Sequence, residues 1–506
     1  MIVVGAGTAG CALAARLSED ADRRVLLVEA GPAPASSAGF APELLDASGV
    51  RAAASNSGYT WSYPAHLTDR HPHVITRGRV LGGSSTVNGG YFVRATRADF
   101  AAWSADGRDA WSHDSVLPLL CALEHDLDYG RTALHGDAGP IPVRRPTLDS
   151  PSAAAFAAAA DELGIPTEPD KNGDAARPGF GPVPVNALDG VRWNTGLAYL
   201  LPALARPNLD VLADSAARRV VVERGRAVGV EVATGGRVTV WRGAEIVLCA
   251  GAIGSAHLLL LSGVGPAADL TRVDVPVVLD APGVGARFDD HPQVVLEWLP
   301  KAPQAPPPGQ WLAGAVNLDE LPGGSLEILQ SSAPMSTVVT GVAAPPLAPL
   351  PLLVSVQQRA PRGVVRLVSA DASTPPAVEH HYLGDGPARQ ALRAVVRLAA
   401  DLLQTRAWSA VSAGVVNLDR EVVRDDAALD AWIHARLGTS AHTCGTAPFG
   451  YAADPGAVVD QHGRVHGVDA LRVADTSILP TAPTRGPAAT AVLIGELIAA
   501  AMRRGT

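Results

Sequence analysis

A glycine-rich turn between two short apolar strands constrains the fold of this chain more than any other feature. The chain begins with the apolar run Ile2-Val3-Val4, continues into a helical segment, and reaches a second apolar run, Val25–Val28, that ends at Glu29. The turn after the first run reads Gly5-Ala6-Gly7-Thr8-Ala9-Gly10. A strand, a glycine turn, a helix and a strand that ends in an acid are the beginning of a βαβ dinucleotide-binding unit.

Each glycine of this turn has its own physical reason. Gly5 allows the tight turn, Gly7 lets the backbone approach a pyrophosphate, and Gly10 permits close packing of the helix on the strand. The unpaired N–H groups at the start of the helix, at Thr8 and Ala9, then face the phosphates.

The acid after the second strand reduces the number of candidate dinucleotides. Glu29, followed by Ala30, is placed to accept hydrogen bonds from ribose hydroxyls, and its charge repels the 2′-phosphate of NADP. The motif therefore predicts a bound dinucleotide, but it does not distinguish NAD from FAD.

Size, composition and charge exclude several classes of protein. A chain of 506 residues is long for one hydrophobic core, so we expect two domains or one large composite. With 47% hydrophobic and 18% charged residues, the composition is that of an ordinary globular protein. The net charge of −9 argues against a nucleic-acid surface.

The cysteines and the two ends of the chain indicate the cellular compartment of the protein. Four scattered cysteines form no CxxC pair, so we expect neither a metal site nor a disulfide framework: Cys11, Cys121, Cys249 and Cys444. Because Met1 adjoins the first strand, we expect no signal peptide, and the shortness of that strand leaves a clipped start open. The apolar segment 488–502 carries Glu496 and is too short to span a bilayer, which predicts a buried helix. We expect a cytoplasmic protein, with docking at the inner face of the membrane left open.

A second glycine-rich segment favours a ligand larger than a nicotinamide half-site. It reads Arg77-Gly78-Arg79-Val80-Leu81-Gly82-Gly83-Ser84-Ser85-Thr86-Val87-Asn88-Gly89-Gly90. Glycine pairs around hydroxyl and amide side chains let the backbone come within hydrogen-bonding distance of a planar or phosphate-bearing ligand. Together with the opening motif, this segment points to a flavin.

Four segments resemble the signatures of one family, in the expected order. Residues 78–94 and 251–265 resemble two signatures of the glucose-methanol-choline (GMC) family of FAD oxidoreductases, with Ala256 where Pro or Ser is usual. Gly283-Val284-Gly285 followed by Asp290-His291-Pro292, and the tail 442–495, resemble its next landmarks. The resemblance covers nearly the whole chain and implies FAD as the cofactor.

The resemblance implies an α/β fold of α+β composite type, with a Rossmann-like FAD-binding domain and a substrate-binding domain. We expect the first at residues 1–150, 200–292 and 437–506, and the second at 151–199 and 293–436. Apolar runs predict strands that complete the cofactor domain at 220–222, 227–232 and 245–251. Runs at 294–298, 325–329, 352–357 and 364–369 predict an antiparallel sheet in the substrate domain, covered by a helix at 388–405.

The resemblance also assigns residues around the flavin. Beyond the opening motif, the predicted cofactor-binding residues are Trp61, Arg79, Gly83, Ser84, Asn88, Gly89, Gly90, Ala217, Ala250, Gly251 and Asp475. Asp475 is also a candidate helix N-cap, which is compatible with that role. Some members attach FAD through a histidine where this chain has Val87, so we expect a non-covalent FAD.

The tail carries the predicted base in Ala441-His442-Thr443-Cys444-Gly445-Thr446, and the resemblance places His442 beside the flavin N5. An alcohol loses a hydride far more readily once its hydroxyl proton has gone. An imidazole of near-neutral pKa can take that proton, typically contributing about 10² to 10⁴-fold in rate. We predict that His442 is the base in alcohol oxidation, with the flavin taking the hydride.

The family usually pairs this histidine with a second His or Asn, and here the chain departs from the pattern. The corresponding position is Gly486, and residues 484–490 contain neither type. We predict that Arg485 supplies a fixed charge to the developing alkoxide, unless the substrate brings its own acidity. The equal alternative is that Arg485 contacts solvent or the tail of the substrate.

Short motifs at 88–94, 135–145 and 484–487 resemble the GMC dehydrogenase associated with the mycofactocin system. That resemblance implies oxidation of a reduced peptide-derived redox cofactor, mycofactocinol, with electrons passed to the respiratory chain. Three alternatives stay open: a GMC dehydrogenase or oxidase acting on a small primary alcohol, a hydroxynitrile lyase with structural FAD, and a non-catalytic flavin-binding partner protein.

Overall fold

A parallel sheet of five strands holds the opening βαβ unit in the computed structural model, which describes residues 1–173, 178–304, 309–358, 360 and 362–506. The strands lie in the order Leu209–Leu212, Val25–Val28, Ile2–Val4, Ile246–Leu248 and Leu471–Val473. The helices Thr8–Leu17 and Ala488–Arg504 pack against each other beside it. Parallel strands buried on both faces are continuous apolar runs, and this is why three of the five could be predicted.

An antiparallel sheet forms the second layer of the molecule. Its main strand order is Ser412–Val415, Pro292–Pro300, Leu350–Gln357, Gly324–Ser331, Leu312–Leu321 and Gly179–Pro182, with Gly438–Thr439 paired to Pro292–Pro300. The helix Gly386–Leu402 packs on it through the predicted apolar face, which includes Leu392, Val395, Val396, Ala399 and Leu402. The predicted fold class, a Rossmann-like layer joined to an antiparallel sheet covered by helices, is confirmed.

The described residues also form several smaller sheets. The predicted runs at 220–222 and 227–232 belong to a three-stranded antiparallel sheet, Ser215–Glu223, Arg226–Thr234 and Arg237–Arg242. A four-stranded sheet contains Val364–Arg366, Ala377–Glu379, Thr60–Thr68 and His71–Gly78, so the prediction that the run 364–369 belongs to the large antiparallel sheet is wrong. Two-stranded pairs are Glu124–Asp126 with Ile141–Val143, Ala187–Leu188 with Val191–Arg192, and Val264–Gly265 with Leu279–Asp280.

The remaining helices are mostly short. They are Pro42–Leu45, Ser84–Val87, Arg97–Ser104, His113–Leu123, Pro151–Glu162, Leu201–Ala203, Gly251–Leu261, Ala267–Arg272, Met335–Thr340, Arg406–Val411, Arg420–Arg424 and Asp426–Arg436, with a π-helix at Gly196–Leu200. Within the described ranges, no helix combines the length and the apolar character needed to cross a bilayer.

Two large apolar cores accompany the two sheets. One surrounds the parallel sheet and draws on residues from both ends of the chain. The other lies between the antiparallel sheet and its covering helices, mainly with residues after 293. These cores support the proposed division into a discontinuous FAD-binding domain and a substrate-binding domain, whose boundaries remain our proposal.

The substitution Gly10→Ala tests the close packing of the helix Thr8–Leu17 on the parallel sheet. A Cβ at Gly10 would overlap the carbonyl oxygen of Gly5 and lie 3.0 Å from the Cβ of Cys249. We expect Gly10→Ala to lower the free energy of unfolding by about 1–3 kcal/mol, the usual cost of overpacking, and to reduce the FAD content of the purified protein. Gly386→Ala is the matched control, because a Cβ there meets nothing within 4 Å. Equal melting temperatures and equal flavin absorbance in both variants would contradict this prediction.

Candidate active site

A cavity of about 800 Å³ is lined by residues of both layers. It brings most of the predicted site residues together: Gly5, Gly7, Thr8, Ala9, Glu29, Ala30, Trp61, Gly83, Ser84, Asn88, Gly89, Ala217, Ala250, Gly251, His442 and Asp475. Gly10, Arg79, Gly90 and Arg485 are not part of this lining. Segments that are distant in sequence therefore share one cavity.

The two glycine turns meet backbone to backbone at one wall of this cavity. Gly5 has φ +102°, and a Cβ there would lie 2.5 Å from the carbonyl oxygen of Cys249. Gly83 has φ +54°, and its Cβ would lie 2.6 Å from the Cα of Gly7. The helix Thr8–Leu17 has no side-chain cap, so its first N–H groups are left for a ligand. This cradle and its donors fit the pyrophosphate of FAD.

Glu29 holds the first turn in shape. Its two carboxylate oxygens accept hydrogen bonds from the backbone N–H groups of Ala6 and Gly31, each at 2.9 Å. Burial raises the pKa of Glu29 to about 7, although the two hydrogen bonds favour the ionised carboxylate and oppose this shift. Each oxygen has a second lone pair, so the predicted bonds to ribose hydroxyls remain compatible with the geometry.

Asp475 is fully engaged by protein groups. One oxygen accepts from the Gly251 N–H at 2.9 Å and from the Ser255 hydroxyl at 2.6 Å, and the other accepts from Ser477. Asp475 is therefore the N-cap of the 3₁₀ turn Thr476–Ile478, as the alternative interpretation had it. It also orients the start of the helix Gly251–Leu261 at the cavity wall, through which we expect it to act on the cofactor.

Two predicted residues lie just behind the lining. Arg79 donates to the carbonyl of Ala30 at 3.3 Å, and its guanidinium lies 5.1 Å from the ring centroid of Trp61. The N–H of Gly90 donates to Asn88 Oδ1 at 3.0 Å. Both positions therefore shape residues that line the cavity.

Asp290 organises the loop that carries His442. Its Oδ1 accepts from the backbone N–H of His442 at 2.7 Å and from the Thr439 hydroxyl at 3.0 Å, while its Oδ2 accepts from the Thr443 hydroxyl at 2.7 Å. Ala441, between these bonds, has a left-handed φ of +59°. A single buried carboxylate thus holds a strained turn in place and points His442 into the cavity.

The electrostatics of this cluster keep His442 neutral. Burial lowers the pKa of His442 to about 4, below the near-neutral value expected from the sequence, although Asp290 opposes the shift. Burial also disfavours the charge on Asp290, but His380, whose Nε2 lies 3.5 Å from Oδ2, and Arg77 together hold the pKa of Asp290 well below its usual range. At neutral pH the site therefore contains an ionised Asp290 and an uncharged imidazole that can accept a proton.

A second histidine contacts His442 from the protein side. The Nδ1 atoms of His291 and His442 are 2.9 Å apart, and the rings meet edge to face. Burial lowers the pKa of His291 to about 3. The sequence contained a signal for His291 in Asp290-His291-Pro292, but that motif does not reveal a contact with a residue 151 positions later. At Gly486, where the family usually has His or Asn, an added Cβ would lie 3.7 Å from the Nε2 of His442.

Arg485 is held away from the cavity by a carboxylate. Its guanidinium pairs with Glu168 at 3.4 Å and is buried, so the alternative in which it contacts solvent is wrong. Glu168 also pairs with Lys171 at 2.6 Å. A buried guanidinium needs a compensating charge, which Glu168 supplies. Gly486 and Pro487 line the cavity, whereas Arg485 does not. The predicted donation to an alkoxide is therefore not supported by this geometry.

The substrate side contains residues that the sequence analysis did not assign. Its apolar wall is formed by Val50, Trp311, Leu312, Leu329 and Leu353. Its polar groups are Arg77, Tyr91, Gln293 and Glu327. Glu327 could have been noticed as the one acid within the predicted apolar strand 325–329.

Known proteins resemble this chain over nearly its whole length. Family profiles described as GMC oxidoreductase match residues 1–293 and 360–495. An uncharacterised GMC-type oxidoreductase of Rhodococcus erythropolis is 41% identical over 98% of this chain and 96% of its own length. An oxygen-dependent choline dehydrogenase of Rhizobium etli is 34% identical over 95% and 91%. The crystal structure of pyridoxine 4-oxidase from Mesorhizobium loti superposes with a TM-score of 0.89 at 29% identity, covering 99% of each chain.

Asp290→Asn tests whether the carboxylate positions the base. The amide cannot accept every bond that Asp290 accepts, so we expect flavin reduction to slow about ten- to a hundred-fold, equivalent to one charged hydrogen bond of about 1.5–3 kcal/mol. Asp289→Asn is the matched control, because burial raises the pKa of Asp289 to about 8 and keeps it uncharged at pH 7. Anaerobic reduction rates at equal FAD content provide the measurement, and equal slowing in both variants would argue against a special role for Asp290.

Proposed function

The chain belongs to the GMC oxidoreductase family, and on that premise we propose that it oxidises an alcohol with His442 as the base. It is an FAD-dependent oxidoreductase that acts on CH–OH groups. The observation that carries the proposal is a neutral, buried His442 in the same cavity as the two glycine turns. FAD, when bound, supplies the acceptor for the hydride.

The residues around His442 suit a proton acceptor. A proton taken from the substrate hydroxyl would convert the imidazole into a cation, which the nearby charge of Asp290 stabilises. The bond from the backbone N–H of His442 to Asp290 fixes the loop that carries the ring during this change. Non-covalent FAD is expected at this site, because Val87 has no nucleophilic atom for attachment.

The finer proposal concerns the substrate. We propose mycofactocinol, a reduced peptide-derived redox cofactor, with electrons passed to the respiratory chain from a cytoplasmic position that is peripheral to the membrane. The support is the sequence resemblance at 88–94, 135–145 and 484–487. A small primary alcohol is the second candidate, since relatives bear the names choline dehydrogenase and pyridoxine 4-oxidase.

The charges at and behind the polar end of the cavity are balanced. Glu327 and Glu168 are the acids, and Arg485 and Lys171 are the cations that act on them. A quaternary ammonium would meet no uncompensated carboxylate in this cluster. The balance therefore favours a neutral alcohol over choline.

A panel of alcohols under anaerobic conditions tests the substrate class. We expect mycofactocinol to bleach the flavin absorbance, and neutral aromatic or aliphatic primary alcohols to do so at least ten times faster than choline at equal concentration. Bleaching by simple alcohols alone would support the second candidate. Faster reduction by choline would contradict the charge argument, and cyanide release from a cyanohydrin without bleaching would identify a lyase.

His442→Gln tests the base directly. Removing a general base should slow flavin reduction about 10² to 10⁴-fold, whereas His434→Gln, at an exposed position on the helix Asp426–Arg436, should leave it unchanged. Because burial lowers the pKa of His442 to about 4, kcat/KM should be constant at neutral pH and decline only as the pH falls through about 4. An acid limb near 6.5, the usual value for a histidine, would contradict the assignment.

A further inference from the structure

His291 and His442 share a single hydrogen between them. Their Nδ1 atoms are 2.9 Å apart, and a neutral imidazole has one N–H donor and one bare nitrogen. If His442 carries the hydrogen on Nδ1, its Nε2 is bare and can accept a substrate proton. If His291 carries it, the Nε2 of His442 is already protonated. The tautomer of His291 therefore decides whether His442 is a base.

The surroundings of His291 favour a hydrogen on its Nε2. Among the described residues, both the Nε2 of His291 and the Oε1 of Gln357 are buried and have no hydrogen-bond partner within standard geometry. The Gln357 side chain and the Gln358 backbone both favour the protonated ring of His291, which is the effect of hydrogen-bond acceptors near its N–H. A hydrogen on Nε2 would point at these oxygens, whereas a bare Nε2 would set a lone pair against them.

The orientation of Gln357 is set in turn by Glu327. The Nε2 of Gln357 donates to Glu327 Oε1 at 3.0 Å and to the Ser355 hydroxyl at 2.7 Å, which leaves its Oε1 for His291. A flipped amide would place its oxygen against the carboxylate. Glu327 is itself held by Asn317 at 2.9 Å and by the Tyr91 hydroxyl at 3.3 Å.

We propose that Glu327, through Gln357 and His291, selects the tautomer of His442 whose Nε2 is free to accept the substrate proton. Glu327 is then a positioning residue, since it acts on the base through two intervening side chains. No proton travels along this path: each group only fixes the direction of the next hydrogen bond. The inference rests on the proposed role of His442, but the tautomer itself is a separate observable.

The sharpest test is nitrogen-15 NMR of the histidine rings in the holoenzyme. The His442 signals are identified by their loss in His442→Gln. We expect the wild-type protein to show a bare Nε2 and a protonated Nδ1 on His442, with the reverse arrangement of hydrogens on His291. A protonated Nε2 on a neutral His442 would overturn the proposal, and this result needs neither activity nor a further variant.

Two variants test the upstream links. Glu327→Gln removes the carboxylate with little change of shape, and Gln357→Met removes the amide while leaving Glu327 in place. We expect either change to mix the two His442 tautomers and to lower the rate of flavin reduction about ten-fold or more, with a smaller change in KM. Glu421→Gln, at an exposed position, is the matched control and should change neither.

The two possible failures can be told apart. If His442→Gln reduces flavin as fast as the wild type does, the proposed function is wrong, whatever the tautomer. If His442 is required but its tautomer and rate are unchanged in both upstream variants, the role assigned to Glu327 is wrong while the proposed function stands.

Discussion

The carboxylate of Asp290 is the interaction on which the catalytic end of this molecule depends. It joins the start of the strand Pro292–Pro300 to a loop about 150 residues later by accepting bonds from His442, Thr439 and Thr443. An ionised carboxylate is costly to bury unless several donors compensate it. Here the compensation is the structure of the loop itself, so the charge that is hard to bury also positions the base.

The cofactor end depends instead on backbone contacts at glycine. That end could be predicted from the sequence, because the strand, turn, helix and acid are consecutive, and a side chain at Gly5 or Gly83 would overlap neighbouring backbone. The strand 352–357 and the helix 388–405 could also be predicted from the sequence, since their patterns are local and apolar. The strands Gly179–Pro182 and Leu312–Leu321 were not predicted, because glycines and polar residues interrupt their patterns.

The catalytic contacts could be predicted only in part. His442 was assigned through a family motif, whereas its contact with His291 joins residues that no local pattern connects. Arg485 illustrates the reverse problem. Its position next to Gly486 suggested a role in the reaction, but the sequence does not show that Glu168, more than 300 residues earlier, holds its guanidinium behind the wall. Sequence spacing identifies candidate groups, and tertiary pairing decides which of them reach the cavity.

The most direct test of the central claim, that His442 removes a hydroxyl proton in a true oxidation, is an isotope measurement on the intact holoenzyme. Anaerobic flavin reduction would be followed with an alcohol carrying deuterium on its α-carbon, in H₂O and in D₂O. We predict a primary effect from the carbon-bound deuterium and a solvent effect that disappears in His442→Gln together with most of the rate. Reduction that is insensitive to α-deuteration, or a solvent effect that survives in His442→Gln, would contradict the claim.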